Sequence, residues 1–182
     1  MSPNWFIGFP VDSAGWYQKV ITNVPYGIKR FNPVDLHITF AFLGAVEASV
    51  AQKAWLVAQE VGMRQMVATL GPMMPFGNPE KPSAYAFTLV NATEAIVNYM
   101  LYHRDNVLAA AGREPLYTPR PHLTVARPPR SASDRLRAVG TVWATSVTPP
   151  VVSLTLDKLA LYTWADNREI QQFKLVESIK LV

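Results

Sequence analysis

The sequence predicts a single bilobal domain over residues 1–182, α+β or α/β in class, whose two halves repeat one another. Three observations carry this. Strand-like and helix-like segments alternate along the chain. Two short cassettes, Leu36-His37-Ile38-Thr39-Phe40-Ala41 and Pro121-His122-Leu123-Thr124-Val125-Ala126, share the pattern His, apolar, Thr, apolar, Ala. The order strand, helix, cassette strand, helix occurs once in each half, as an internal duplication would leave it.

The elements follow in order. Residues 5–11 alternate loosely and read as a first strand, with a helix over 13–23 before Pro25 and Gly27 break the pattern. Residues 36–43 form a strongly apolar strand that stops at Gly44, which suits burial on both faces. Val50, Ala54, Val57 and Val61 recur at helical spacing and predict a helix over 48–63. A short strand over 67–70 comes next. The Gly- and Pro-rich stretch 71–82 reads as a loop or hairpin connection, and 84–90 as a strand. A long helix over 93–111 has Thr93 to cap it and Gly112 to close it. The second cassette strand, 121–127, stops at Pro128-Pro129, and a helix over 133–144 follows. Two last strands, 152–164 and 171–180, flank a turn at Asp166-Asn167.

Composition narrows the function classes. The chain has 182 residues, 49% hydrophobic and 16% charged, which describes a globular protein long enough to bury a core. It has no cysteine, which excludes disulfides, thiol nucleophiles and cysteine zinc sites. Residues 1–15 lack a basic segment ahead of an apolar run, so no signal peptide is read there. No uncharged apolar stretch is long enough to cross a bilayer. A soluble cytoplasmic monomer without membrane contact is the expectation. The net charge of +4 permits a polyanionic partner. Arg120, Arg127, Arg130, Arg135 and Arg137 gather around and after the second cassette, either as a binding rim or as a solvated helix face.

The chain has only three histidines, and two of them fit the cassette. From the chain's own Thr and apolar frequencies, one His would match on the order of a few times in a thousand. On a strand, residues i and i+2 share a face, so each cassette shows an imidazole beside a hydroxyl. Two such pairs facing one cleft would provide an acid, a base and two hydroxyl donors, which is equipment for phosphate chemistry without a metal. His103 sits among Tyr102 and Arg104 in the long helix and reads as an ordinary surface residue. There is no Gly-x-Ser-x-Gly elbow, P-loop or dinucleotide fingerprint, and three His with scattered carboxylates form no recognisable metal cluster. No cofactor and no metal are expected.

The stretches His37-Ile38-Thr39-Phe40-Ala41-Phe42-Leu43-Gly44 and Pro121-His122-Leu123-Thr124-Val125-Ala126-Arg127 resemble the 2H phosphoesterases. Within that superfamily they are most similar to the bacterial 2′-5′ RNA ligase and 2′,3′-cyclic phosphodiesterase group. The resemblance extends to the opening strand Trp5-Phe6-Ile7-Gly8-Phe9-Pro10 and to Leu159-Ala160-Leu161-Tyr162, and so covers the chain nearly end to end. One departure is Thr163-Trp164, where many members carry an Arg-Ser pair. The resemblance implies an α+β fold of two lobes, each an antiparallel-rich sheet with helices outside, around a cleft to which each lobe lends one cassette. It implies metal-independent opening of 2′,3′-cyclic phosphates on RNA ends or small nucleotides, with reversible 2′-5′ ligation at the same site. The partner would be RNA or a nucleotide carrying a 2′,3′-cyclic phosphate or a 2′-5′ linkage.

The chemistry matches the side chains. Water must attack phosphorus while a ribose oxygen leaves on the opposite side, which requires a base and an acid. Imidazole serves as either around neutral pH. His122 is assigned as base and His37 as acid on a nearly symmetric motif, with Thr39 and Thr124 donating to the phosphate oxygens. Arg127, five residues past His122, falls on the opposite face by strict alternation but could turn to the cleft rim at the strand end. Phe9 and Tyr85 are candidates to stack on a base, although either would serve equally as a core aromatic. The competing function is a nucleotide- or RNA-binding module that keeps the cleft without turnover, and such a module would have no need of an acid and a base.

Overall fold

The computed structural model describes residues 3–91 and 93–182, and the cap expected at Thr93 lies outside the described side chains. In chain order the elements are β1 (Asn4–Pro10), α1 (Tyr17–Val20), β2 (Lys29–Arg30), a 3-10 turn (Pro33–Asp35), β3 (His37–Ala45) and α2 (Ala48–Gln59). After these come β4 (Met66–Asn78), β5 (Lys81–Leu89), α3 (Thr93–Ala110), β6 (His122–Arg127), α4 (Asp134–Ser146), β7 (Ser153–Leu156), β8 (Lys158–Trp164) and β9 (Phe173–Lys180). The strands form one antiparallel sheet in the order β7-β4-β5-β6-β3-β1-β8-β9, with β2 beside β6. The class is therefore α+β, and the two cassette strands meet at the centre, Ile38 opposite Leu123.

Several elements depart from the sequence expectation for identifiable reasons. Residues 71–82 are no loop, since β4 runs through them as the partner of β5 from Leu70 to Asn78. β7 pairs only with residues 66–69, so Pro72 and Pro75 sit where the far edge of β4 has no ladder and a missing N–H costs little. The strand expected over 152–164 breaks at Asp157 because its halves serve opposite ends of the sheet. β7 pairs with β4 and β8 with β1, and the Asp157 carbonyl turns aside to accept from the Leu181 N–H at 2.7 Å. The helix expected over 13–23 shortens to four residues, bounded by Gly15 and Asn23, both in the left-handed region at φ 79° and 51°. α4 starts as expected, with Ser133 accepting from the Leu136 N–H.

Helices cover one face of the sheet. α3 packs on β3, α4 on β4 and β5, and α2 between α3 and β1. That face carries the core: Phe9, Ile38, Phe40, Phe87 and Leu123 are all fully buried, each such side chain contributing about 1.5–3 kcal/mol. Phe9 meets Phe40 edge to face at 6.2 Å, and Phe40 meets Tyr99 of α3 at 5.6 Å. Gly8 lets β1 and β3 close up, because a Cβ there would lie 2.7 Å from the Ile38 carbonyl oxygen. Gly140 does the same for α4, whose backbone lies against the Tyr85 ring. The opposite face is open and holds the histidines.

Candidate active site

Pairing Ile38 with Leu123 in an antiparallel ladder puts His37 opposite Thr124 and Thr39 opposite His122. All four side chains therefore share the open face, and the two cassettes meet there in a near two-fold arrangement. Neither Thr hydroxyl is spent on a protein partner among the described residues.

The two imidazoles are held in the same way. His37 Nδ1 lies 2.6 Å from the Asp35 carbonyl oxygen, and His122 Nδ1 lies 2.7 Å from the Arg120 carbonyl oxygen. A carbonyl can only accept, so each Nδ1 carries the hydrogen and each Nε2 is left to take or give a proton. In both cassettes the anchor is the backbone two residues upstream, so the orientation is built into the entry to each strand.

Their surroundings differ. His37 is 6% exposed and sits in an aromatic box. Phe6 lies at 4.5 Å, Phe173 at 5.2 Å and Tyr162 at 5.5 Å between ring centroids. Burial pulls its pKa down to about 4, with smaller pushes from the Arg127 and His122 charges and an opposing pull from the Asp35 carbonyl. His122 is half-buried and stacks on Phe76 at 4.2 Å. Burial first, then Arg127 and Arg120, lower its pKa as well. Both imidazoles are thus neutral in the free protein at neutral pH, and a bound phosphate would raise both by its negative charge.

A repeated irregularity explains the residues around them. Ile7 pairs with Ala41 and Gly8 with Thr39, so Phe40 is an extra residue in β3. Tyr85 pairs with Ala126 and Ala86 with Thr124, so Val125 is an extra residue in β6. Each cassette thus carries a bulge just after its Thr, where two successive apolar residues face the core: Phe40 with Ala41, and Val125 with Ala126. Alternation then resumes one step out of phase. This turns Arg127 to the open face, where strict alternation would have hidden it. Its guanidinium lies 5.4 Å over the Phe31 ring, and its charge is felt by both imidazoles. By the same shift the equivalent residue of the first cassette, Phe42, stands on the open face at 57% exposure.

Phe9 and Tyr85 are corrections. Phe9 is fully buried opposite Ile38, on the helix side. Tyr85 is fully buried against Trp143 of α4, and its hydroxyl donates to the Arg137 carbonyl at 2.9 Å. Neither can reach a ligand beside the histidines. The arginine cluster also divides, because Arg137 is buried and its guanidinium is spent on the carbonyls of Pro82, Pro129 and Arg130. His103 packs its ring against Tyr99 at 4.6 Å, away from the cassettes on α3.

Sequence reasoning missed the residues that build the walls. Asp35 is buried, and its carboxylate accepts from the Gln172 and Phe173 N–H groups at 2.9–3.0 Å. It ties the β8–β9 loop to the entry of β3, directly beneath His37. Phe76 comes from the stretch expected to be a loop. Phe42 was missed too, although it stands five residues after His37 as Arg127, which the sequence did offer, stands after His122. Among the described residues no three His, Asp or Glu side chains gather to hold a metal ion. No described helix is long and apolar enough to cross a membrane.

No protein-family model and no curated protein matches the chain. Solved structures do. One described as a phosphoesterase superposes with a TM-score of 0.72 at 17% identity, over 98% of both chains. Escherichia coli LigT complexed with 3′-AMP gives 0.72 at 17% identity over 99% of both chains. Kluyveromyces marxianus Usb1 gives 0.53 at 13% identity, over 98% of this chain and 97% of its own. These likenesses establish the architecture: the chain has the fold of the 2H phosphoesterases. Within it, the arrangement is the LigT-like one.

Proposed function

We propose that the cleft hydrolyses 2′,3′-cyclic phosphodiesters on nucleotides or RNA ends, by acid–base catalysis shared between His37 and His122. The observation that carries this is the pair of identically tethered imidazoles, each with Nδ1 fixed by a backbone carbonyl and Nε2 unspent, on one face with two hydroxyls. The cyclic phosphate lies between them. Thr39 and Thr124 donate to its non-bridging oxygens, and Arg127 balances the charge that grows in the transition state. One Nε2 removes the proton of the attacking water as the P–O bond forms. The other gives a proton to the ribose oxygen as the opposite P–O bond breaks, so a cyclic diester and water become a phosphomonoester with a free hydroxyl.

The deeper burial of His37 makes His122 the readier proton holder. We therefore assign His37 as base and His122 as acid, the reverse of the order expected from the sequence. Phe42 offers an exposed ring beside the phosphate on which a base can stack. The 2′-5′ joining reaction is the same ring opening with a 5′-hydroxyl in place of water: the P–O5′ bond forms, the P–O3′ bond breaks, and the 3′ oxygen takes the proton.

The fold neighbours add support in kind, since Escherichia coli LigT, complexed with 3′-AMP, NADP+ or ATP, holds nucleotides on this fold. The test is incubation of the purified protein, in chelator, with the four nucleoside 2′,3′-cyclic phosphates and with 2′-5′ dinucleotides, products being separated by chromatography. Conversion to monophosphates supports the reading. Tight binding of these compounds without conversion would instead identify a nucleotide-binding module.

A further inference from the structure

In both cassettes the residue that anchors the imidazole also holds an aromatic ring against it. On the first, the Asp35 carbonyl oxygen accepts from His37 Nδ1 at 2.6 Å, while the Asp35 carboxylate accepts from the Phe173 N–H at 2.9 Å. Phe173 then stands edge-on to the imidazole, with 5.2 Å between ring centroids. On the second, the Arg120 carbonyl oxygen accepts from His122 Nδ1 at 2.7 Å. The Arg120 guanidinium lies over the Phe76 ring at 5.6 Å, within reach of a cation–π contact. That ring stacks on His122 at 4.2 Å, with 23° between the two planes. A carboxylate on a backbone amide and a cation over a ring are different chemistries serving one arrangement.

The sheet makes room for Phe76 to reach His122. Phe76 stands on β4 near the tip of the β4–β5 hairpin, where it pairs with Ala84. β5 lies between it and β6, and the β5 residues on the open face are small. Ala86 is opposite Thr124, Thr88 is opposite His122, and Ala84 falls two residues before Ala86. Ala84 and Ala86 are buried although each offers only a methyl group, and a larger residue at either would hold the ring off. One hydrogen bond fixes one atom of an imidazole and leaves the ring free to tilt about it. A contact on the face of the ring removes the tilt. Tilt matters because proton transfer needs Nε2 in line with its oxygen, and small misplacements are costly.

We infer that Phe76 is a positioning residue for the acid–base step, holding the His122 ring so that Nε2 meets the leaving ribose oxygen, and that the β4–β5 hairpin joins the catalytic device through it. This rests on the reading of the cleft as a cyclic phosphodiesterase site. Phe76 acts on the imidazole and not on the reacting atoms, so its loss lowers turnover and leaves substrate binding nearly unchanged.

Steady-state kinetics on adenosine 2′,3′-cyclic phosphate compares wild type, Phe76→Ala and Phe76→Tyr, and nitrogen-15 NMR follows the imidazoles against pH on the same preparations. The expected result is a kcat about tenfold lower in Phe76→Ala at a KM within about twofold. Phe76→Tyr, which keeps the flat ring, restores it. The charges that face His122 are those of Arg120, Arg127 and His37, and the hairpin's own Glu80 and Lys81 are exposed. Phe76→Ala keeps all of them, so its His122 titration should rise toward 6.5 through the lost cover, while His37 titrates as in wild type. Wild-type kcat in Phe76→Ala, or an unmoved His122 titration, overturns the inference. An equal shift at His37 marks general loosening of the cleft and overturns it as well. A raised KM with kcat retained overturns it in favour of a ring that stacks on the substrate's base. If wild type hydrolyses nothing while the His122 titration still depends on Phe76, the catalytic reading falls and the hold of Phe76 on the imidazole stands.

Discussion

Acid should weaken this protein through His37 more than through an average histidine, and the size of the effect follows from its burial. In the folded chain the imidazole titrates at about 4, against an ordinary value of 6.5. The unfolded chain therefore binds a proton first as pH falls, and stability is lost from about pH 6.5 down to about pH 4. Full development of that difference is worth about 3 kcal/mol, and at pH 5 about 2 kcal/mol has gone. For a chain of this length that lowers Tm by roughly 4–8 °C. His122, also lowered by burial, acts in the same sense. Asp35, raised by burial, acts in the opposite sense, its unfolded form shedding a proton first as pH rises. A comparison of wild type with His37→Gln isolates the one group. Chemical denaturation at pH 7.5 and pH 5 should show wild type losing about 2 kcal/mol more than the variant. Parallel losses in the two proteins would refute the claim that His37 is held neutral in its aromatic box.

Four further outcomes follow. His37→Ala and His122→Ala should each lower turnover on a cyclic phosphate by about 10²–10⁴-fold, with the double variant little worse, as initial rates will show. The pH profile of kcat/KM reports the free protein, so its acid-side limb should lie below pH 6.5, because burial lowers both imidazoles. A limb at or above that value would argue against their desolvation. Phe42→Ala should raise KM by roughly tenfold with kcat nearly retained, the loss of one base–aromatic stack, measured by steady-state kinetics on a cyclic nucleotide. Gly140→Ala should destabilise by about 1–3 kcal/mol in a denaturant titration, since the new methyl falls on the Tyr85 ring and Ile28.

How much of this was legible in the sequence depends on whether the determining contact is local. The cassettes were legible because a strand's period of two puts His and Thr on one face whatever surrounds them. The order of strands and helices was legible for the same reason, periodicity being a property of neighbours in the chain. Arg127 was offered for the rim on the strength of the strand end, against strict alternation, and the bulge at Val125 is what shifts the phase. β4 was hidden because Gly and Pro mark turns unless a strand has an unpaired edge, and that edge is set by β7 from the other end of the chain. Asp35 is tied to the β8–β9 loop through bonds that span more than a hundred residues, and no pattern within a window contains them. Phe9 and Tyr85 were ambiguous for the converse reason: an aromatic on a strand says nothing about which face the helices will cover.

The central claim is that His37 and His122 act as one acid–base device on one phosphate. Phosphorus NMR of a nucleoside 2′,3′-cyclic phosphate tests it most directly, with wild type, His37→Ala and His122→Ala each incubated in chelator. The account predicts that wild type converts the strained cyclic resonance to a phosphomonoester while both variants leave it essentially intact. A cyclic resonance unchanged by wild type, or converted by either variant at the wild-type rate, would contradict it.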